Sequence, residues 1–208
     1  MKIQKAAALT GMFGTALFAL SFIINGFLRP NYNPVRNYIS ELSIESDGWI
    51  QIVSFMLLGS ALCIFALGLK AVFPTGKASR AGPILFMIIG ISYFISGPLV
   101  TDPAAMFDNQ QTWHGVVHGI FGAIVFSLSM AVCFVYWRRF RKDVAWKHLS
   151  AFSFTCGIVM FVLIVLMKVG QLQPGLLSDW AGLVQRTCLI TSYVWIFVVS
   201  VSIKKAKI

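Results

Sequence analysis

Charged residues are scarce in this chain. Asp, Glu, Lys and Arg make up 12% of its 208 residues, against about 25% in soluble domains. So thin a polar coat cannot solvate a chain that is 58% hydrophobic with a mean hydropathy of +0.80. A water-soluble globule is excluded, and the bilayer replaces the buried core. The four cysteines, Cys63, Cys133, Cys156 and Cys188, all fall in apolar stretches and form no CxxC pair. That argues against a disulfide framework or a zinc ribbon and makes them small hydrophobes. The chain also has no P-loop, GxGxxG, GxSxG or HExxH, so no familiar soluble-enzyme signature assigns a reaction. It has no low-complexity segment.

What it does have is long apolar runs. A helix needs about 20 mostly apolar residues to cross the hydrocarbon. Six stretches qualify, over about 6–28, 49–73, 81–100, 113–137, 149–168 and 180–203. They are separated by Pro74-Thr75-Gly76, Asp102-Pro103, Arg138 to Lys147 and Gln173-Pro174-Gly175. The fold expected is all-α, a single polytopic six-helix bundle. Lys2 and Lys5 followed by apolar residues superficially resemble a secretory signal. A signal's apolar region is only about 7–15 residues, so the longer run from Ala6 to Leu28 is read as an uncleaved first span.

The 17 basic residues orient the bundle. Lys2, Lys5, Lys70, Lys77, Arg80, Arg138, Arg139, Arg141, Lys142, Lys147, Lys204, Lys205 and Lys207 share one face. Only Arg29, Arg36 and Lys168 lie on the other, and Arg186 lies within the last span. Lys and Arg are retained on the cytoplasmic side, so both termini are expected in the cytoplasm of a multi-pass cell-membrane protein. Anionic lipid is the simplest partner for that basic face, and nucleic acid is not needed to explain the net charge of +10. Among the acids, Glu41, Glu45, Asp47, Asp102, Asp108 and Asp179 fall on the outer side, with only Asp143 inside. Insertion does not demand this, which places any chemistry on the outer face. Trp49, Trp113 and Trp180 open inward-running helices there, as an aromatic belt, and Asp47 and Asp179 precede two of those starts as candidate caps.

The first outer loop reads as structured. Asn33 suits a cap and Pro34 the first helical position, and Val35, Tyr38, Ile39 and Leu42 follow a helical apolar spacing. A short outer interfacial helix is expected, either simply solvated or folded as a lid over a site. Ser40 and Glu41 lie on it, Ser40 as a candidate nucleophile and Glu41 as a candidate acid or base.

Polar residues inside a membrane mark candidate sites. His114 and His118 are spaced i, i+4 and share a face of the fourth span. Two imidazoles at that spacing can hold a divalent metal such as zinc if a third ligand joins them, and Asp102 and Glu41 are the candidates. Equally, Gly115 and Gly119 form a GxxxG surface, across which the histidines would only hydrogen-bond. Asp102 also reads as the cap of a turn at Asp102-Pro103-Ala104. Arg186 is costly at depth and needs a partner. Pairing with Glu41 or Asp102, snorkelling, or holding an anionic headgroup together with Arg36 all satisfy it.

Asn33-Pro34, Arg36, Ile39-Ser40-Glu41-Leu42, the Asp102 region, a histidine opening the fourth span and Gly182-Leu183-Val184-Gln185-Arg186 together resemble the six-span bacterial family "domain of unknown function 998". The resemblance runs over most of the chain and implies six spans and a role for the outer-face residues, without a mechanism. Three function classes follow from the residues. The first is a metal-assisted hydrolase of a membrane lipid or lipid-linked substrate, with His114, His118 and Asp102 on the metal. The second is a non-enzymatic lipid-binding or accessory protein using Arg36 and Arg186. The third, a small transporter, ranks last because the polar residues cluster near one surface rather than at the midplane.

Overall fold

The computed structural model describes residues 2–103, 111–172 and 176–206. Asp108, Ala104, Gln173-Pro174-Gly175 and Lys207, named above, lie outside the described residues. Six α-helices carry the fold: α1 (Lys2–Leu28), α2 (Trp49–Val72), α3 (Ala78–Ser96), α4 (Trp113–Phe140), α5 (Ser150–Leu172) and α6 (Ala181–Lys205). All six are long and apolar enough to cross a membrane, so the chain is a multi-pass membrane protein, and the expected all-α bundle is what forms. Consecutive helices pack on one another, and α1 packs against α6 to close a ring.

Lipid tails are as apolar as leucine, so association rests on close packing of small residues. A methyl at Gly59 on α2 would lie 2.5 Å from the Gly90 carbonyl oxygen on α3, so those helices touch backbone to backbone. A methyl at Gly11 on α1 would run into the Ser200 hydroxyl on α6. Aromatic rings fill the centre. Phe18 packs edge-on against Tyr93 and Tyr193, whose hydroxyls hydrogen-bond to each other at 2.8 Å. Trp195 Nε1 donates to Ser153 Oγ at 2.8 Å and ties α6 to α5.

The two ends of the bundle differ. The basic end carries the α2–α3 and α4–α5 connections and the start of α1. The opposite end is covered by residues 29–48, and α3 stops there at Ser96, four residues short of the expected boundary. Gly97-Pro98 follow, and the freed carbonyls of Ser96, Leu99 and Val100 accept hydrogen bonds from the histidines of α4. On α5 the buried residues are Ser153, Cys156, Gly157 and Met160. Its half toward the covered end buries no residue.

Candidate functional site at the covered end

The short outer helix expected from the spacing forms as a 3₁₀ segment, later in the loop than Pro34 suggested. Residues 34–36 make a turn, Tyr38 is extended, and a 3₁₀ segment runs from Ile39 to Ser43. The carbonyls that an α-helix would consume are used elsewhere. Val35 O and Arg36 O accept from the backbone N–H groups of Leu183 and Gly182 at 2.9 and 3.1 Å, which are orphan donors of the first turn of α6. The loop therefore caps α6. Asp179, expected in that role, instead pairs with Arg36 at 3.2 Å, with both side chains exposed. No side-chain cap forms before α2 either, so Asp47 is not a cap.

Arg186 is 8% exposed and holds the loop from below. Its Nη1 donates to the carbonyls of Pro34 at 2.6 Å, Asn37 at 2.7 Å and Gly182 at 3.1 Å, and its Nη2 donates to the Tyr32 hydroxyl. The partner expected from sequence, Glu41 or Asp102, is replaced by backbone oxygens, because the loop presents several of them at a spacing that a guanidinium fork fits. Glu41 closes the loop on itself. Its Oε1 accepts from Tyr38 N at 2.7 Å and its Oε2 from Asn37 Nδ2 at 3.1 Å. Tyr32 donates its own proton to Tyr38 O at 2.9 Å. Burial pushes the Tyr32 phenol up to about 12 from its ordinary 10.0, with the Arg186 charge and hydrogen bond pulling the other way. Burial likewise raises Tyr38.

A second polar group lies where α3 meets α4. Asp102 caps α4 through Thr112, accepting from Thr112 N and Thr112 Oγ1, each at 2.8 Å. Thr112 Oγ1 accepts in turn from Gly115 N at 3.1 Å. A methyl at Gly115 would lie 2.0 Å from the Asp102 carboxylate, so that glycine admits the cap. His114 Nδ1 lies 2.7 Å from Val100 O. His118 Nδ1 lies 2.7 Å from Leu99 O and 3.1 Å from Ser96 O. A carbonyl only accepts, so both histidines carry hydrogen on Nδ1, and in the neutral form of each the lone pair lies on Nε2.

These residues do not fit a resident metal. Among the described residues no group of three or more His, Cys, Asp or Glu is placed to hold an ion. Asp102 accepts from Thr112 with both oxygens and the two histidines bond to carbonyls at the end of α3, and the expected set of His114, His118 and Asp102 is not gathered into a ligand sphere. Of the GxxxG pair, Gly115 packs against Asp102, whereas a methyl at Gly119, or at Gly122 beyond it, would meet no atom of the described residues within 4 Å.

Ser40 and His118 line one cavity. A cavity of about 40 Å³ under the 3₁₀ segment is lined by Ile39, Ser40, Phe55, Tyr93, Ser96, His118, Gly122, Val125, Phe126, Gln185 and Leu189. On that measure a water needs about 10–15 Å³, so the space suits a small polar group rather than a whole lipid. Gln185 Oε1 accepts from Ile39 N at 2.8 Å, which orients its amide and leaves Nε2 without a partner among the described residues. One turn above Phe55, on the same face of α2, Gln51 is 0% exposed, and neither of its amide atoms finds a partner among the described residues.

Sequence reasoning brought Ser40, Glu41, Arg36, Arg186, Asp102, His114 and His118 forward as one group. The structure separates them into a loop brace (Glu41, Arg186), a surface pair (Arg36), a helix cap (Asp102, His114) and a cavity pair (Ser40, His118). Gln185, Gln51, Ser96 and Tyr32 were overlooked. The available signal was a glutamine in an apolar helix, which costs free energy unless it faces the bundle interior. A family model described as "Protein of unknown function (DUF998)" matches residues 12–202. The chain belongs to that family. The match spans all six helices and includes both the loop brace and the cavity pair. Neither the curated proteins nor the solved structures contain a match.

Proposed function

We propose that this protein is an outward-facing, membrane-embedded hydrolase acting on an ester of a membrane lipid or lipid-linked substrate without a resident metal. The observation that carries the reading is that Ser40 and His118 line one cavity while the Nδ1–H of His118 is fixed by the Leu99 and Ser96 carbonyls. That bond leaves Nε2 as the base, the tautomer that a serine nucleophile requires. In the proposed step His118 Nε2 takes the Ser40 proton as Oγ attacks the ester carbonyl. The unpartnered Gln185 Nε2 donates to the developing oxyanion. The alcohol leaves with the proton from His118, and water then hydrolyses the acyl-serine by the reverse sequence. The glycine wall at Gly119 and Gly122 supports entry from the lipid side. The covered end faces outward on this reading, as the placement of Lys and Arg favours.

A carbonyl stabilises an imidazolium less than a carboxylate does, and Ser40 makes no hydrogen bond to His118 among the described residues. That favours slow turnover, or, as a second reading, binding of a lipid without turnover. Purified protein treated with an alkyl fluorophosphonate distinguishes them. The hydrolase reading expects a covalent adduct on Ser40, lost in Ser40→Ala and slowed in His118→Asn. Absence of any adduct, with a co-purifying lipid seen by native mass spectrometry, would overturn it in favour of binding.

A further inference from the structure

The basic end holds a second concavity, unrelated to the covered end. It measures about 620 Å³ and lies between the α2–α3 and α4–α5 connections, bounded by Gly76, Lys77, Ala78, Arg138, Arg139 and Lys142 together with Ala81, Val135 and Asp143. Arg139 builds its floor. Its Nη1 donates to Thr75 O, its Nη2 bonds to Asp143 Oδ2 at 3.0 Å, and its Cζ lies 5.5 Å from the centre of the Phe73 ring. Gly76 has φ +88°, and a side chain there would meet Arg139 Nη1 at 2.9 Å. The turn therefore needs glycine in order to wrap the guanidinium. With Asp143 consumed by Arg139, the cations Lys77, Arg138 and Lys142 have no carboxylate partner among the described residues. Arg139 Nε is buried and also lacks one.

Retention of Lys and Arg on one side explains a basic end, but it does not require a concave arrangement. Lys2, Lys5, Lys204 and Lys205 satisfy the same rule without lining this cleft. Three unpaired cations around a space within the range of small-molecule sites, about 300–1,000 Å³, form a receptor for a multiply acidic group, and guanidinium geometry matches phosphate oxygens. The apolar wall of Ala78, Ala81 and Val135 lies toward the basic ends of α3 and α4, where a span of that length meets headgroups. We infer that this cleft binds a phosphate-bearing anion, with an anionic phospholipid headgroup of the adjoining leaflet as the favoured source.

The full chain in non-ionic detergent is titrated with dihexanoyl-phosphatidylglycerol, with dihexanoyl-phosphatidylcholine and with inorganic phosphate, following thermal unfolding. Phosphatidylglycerol is expected to raise the midpoint more than phosphatidylcholine. Arg138→Gln and Lys142→Gln each weaken its apparent affinity about fivefold, whereas Lys204→Gln and Lys205→Gln, which remove the same charge elsewhere on that end, do not. Lys77→Gln, in an exposed connection, repeats the test should either α4 variant lower the ligand-free midpoint. Inorganic phosphate matching phosphatidylglycerol supports the site with a soluble phosphate as its source. Equal response to the two lipids, or equal loss in cleft and control variants, would overturn the inference.

Discussion

Arg186 Nη1 holds the carbonyl oxygen of Asn37 at 2.7 Å across 149 residues of chain. The same nitrogen reaches Pro34 O at 2.6 Å. Removing the guanidinium strands those oxygens in a buried setting, where each charged hydrogen bond is worth about 1.5–3 kcal/mol. Arg186→Ala should therefore lose on the order of 3 kcal/mol and expose residues 32–38 to hydrogen exchange and proteolysis. Arg186→Lys keeps the charge but not the fork, and should fall between the two. Unchanged exchange in the loop would show that the backbone contacts of α6 alone hold it.

The glycines of α4 should respond in opposite directions. Gly115→Ala drives a methyl into the Asp102 carboxylate and breaks the cap through Thr112. Gly119→Ala meets none of the described residues within 4 Å and gains up to about 1 kcal/mol of helix propensity. Unfolding of the two variants in mixed micelles measures the sign of each.

Filling the cavity tests the site without touching its polar groups. Gly122 lines it, and a side chain there has open space. Gly122→Leu should leave folding intact while cutting fluorophosphonate labelling of Ser40 by about tenfold or more, a change of about 1.4 kcal/mol. Equal labelling would place the reactive group elsewhere.

Alkaline pH should loosen the cover before the bundle unfolds. The Tyr32 phenol titrates at about 12 in the folded state against 10.0 for an ordinary tyrosine. A raised value means that its contribution is complete below about pH 10 and is lost as pH climbs through about 12. Proteolysis of the loop should rise over that window in the wild type. In Tyr32→Phe the rise should flatten, at the cost of the Arg186 contact at all pH values.

Orientation is accessible in whole cells. Glu45 and Asp47 are exposed on the covered end. A cysteine at either should react with an impermeant maleimide added outside, whereas one at Lys204 should react only after permeabilisation. The reverse pattern would turn the bundle over.

The helices were legible because a 20-residue apolar run has few other fates, and Trp49, Trp113 and Trp180 marked their starts closely. The outer helix was legible as a short element but not in its form or its start, because helical spacing at Val35, Tyr38, Ile39 and Leu42 says nothing of a competitor for the backbone. Here α6 takes the carbonyls of Val35 and Arg36, and Tyr38 extends. Of the proposed site, Ser40 and His118 were both named by type but in separate roles, as nucleophile and metal ligand, and the metal reading counted possible ligands without their hydrogen bonds. Asp102 was already committed to Thr112, and His114 to Val100. Gln185 passed unremarked beside Arg186 because charge draws the eye before an amide does.

Because the cap of α6 is contributed by residues 34–37, the roof over Ser40 has no final form while the last span is still on the ribosome. The segment is translated early, yet its hydrogen bonds to Gly182, Leu183 and Arg186 are available only at the end of synthesis. A chain arrested before α6 inserts would carry every residue of the Ser40–His118 pair without assembling it. The closure that shelters the cavity is thus a late step of assembly, made only once α6 reaches the loop.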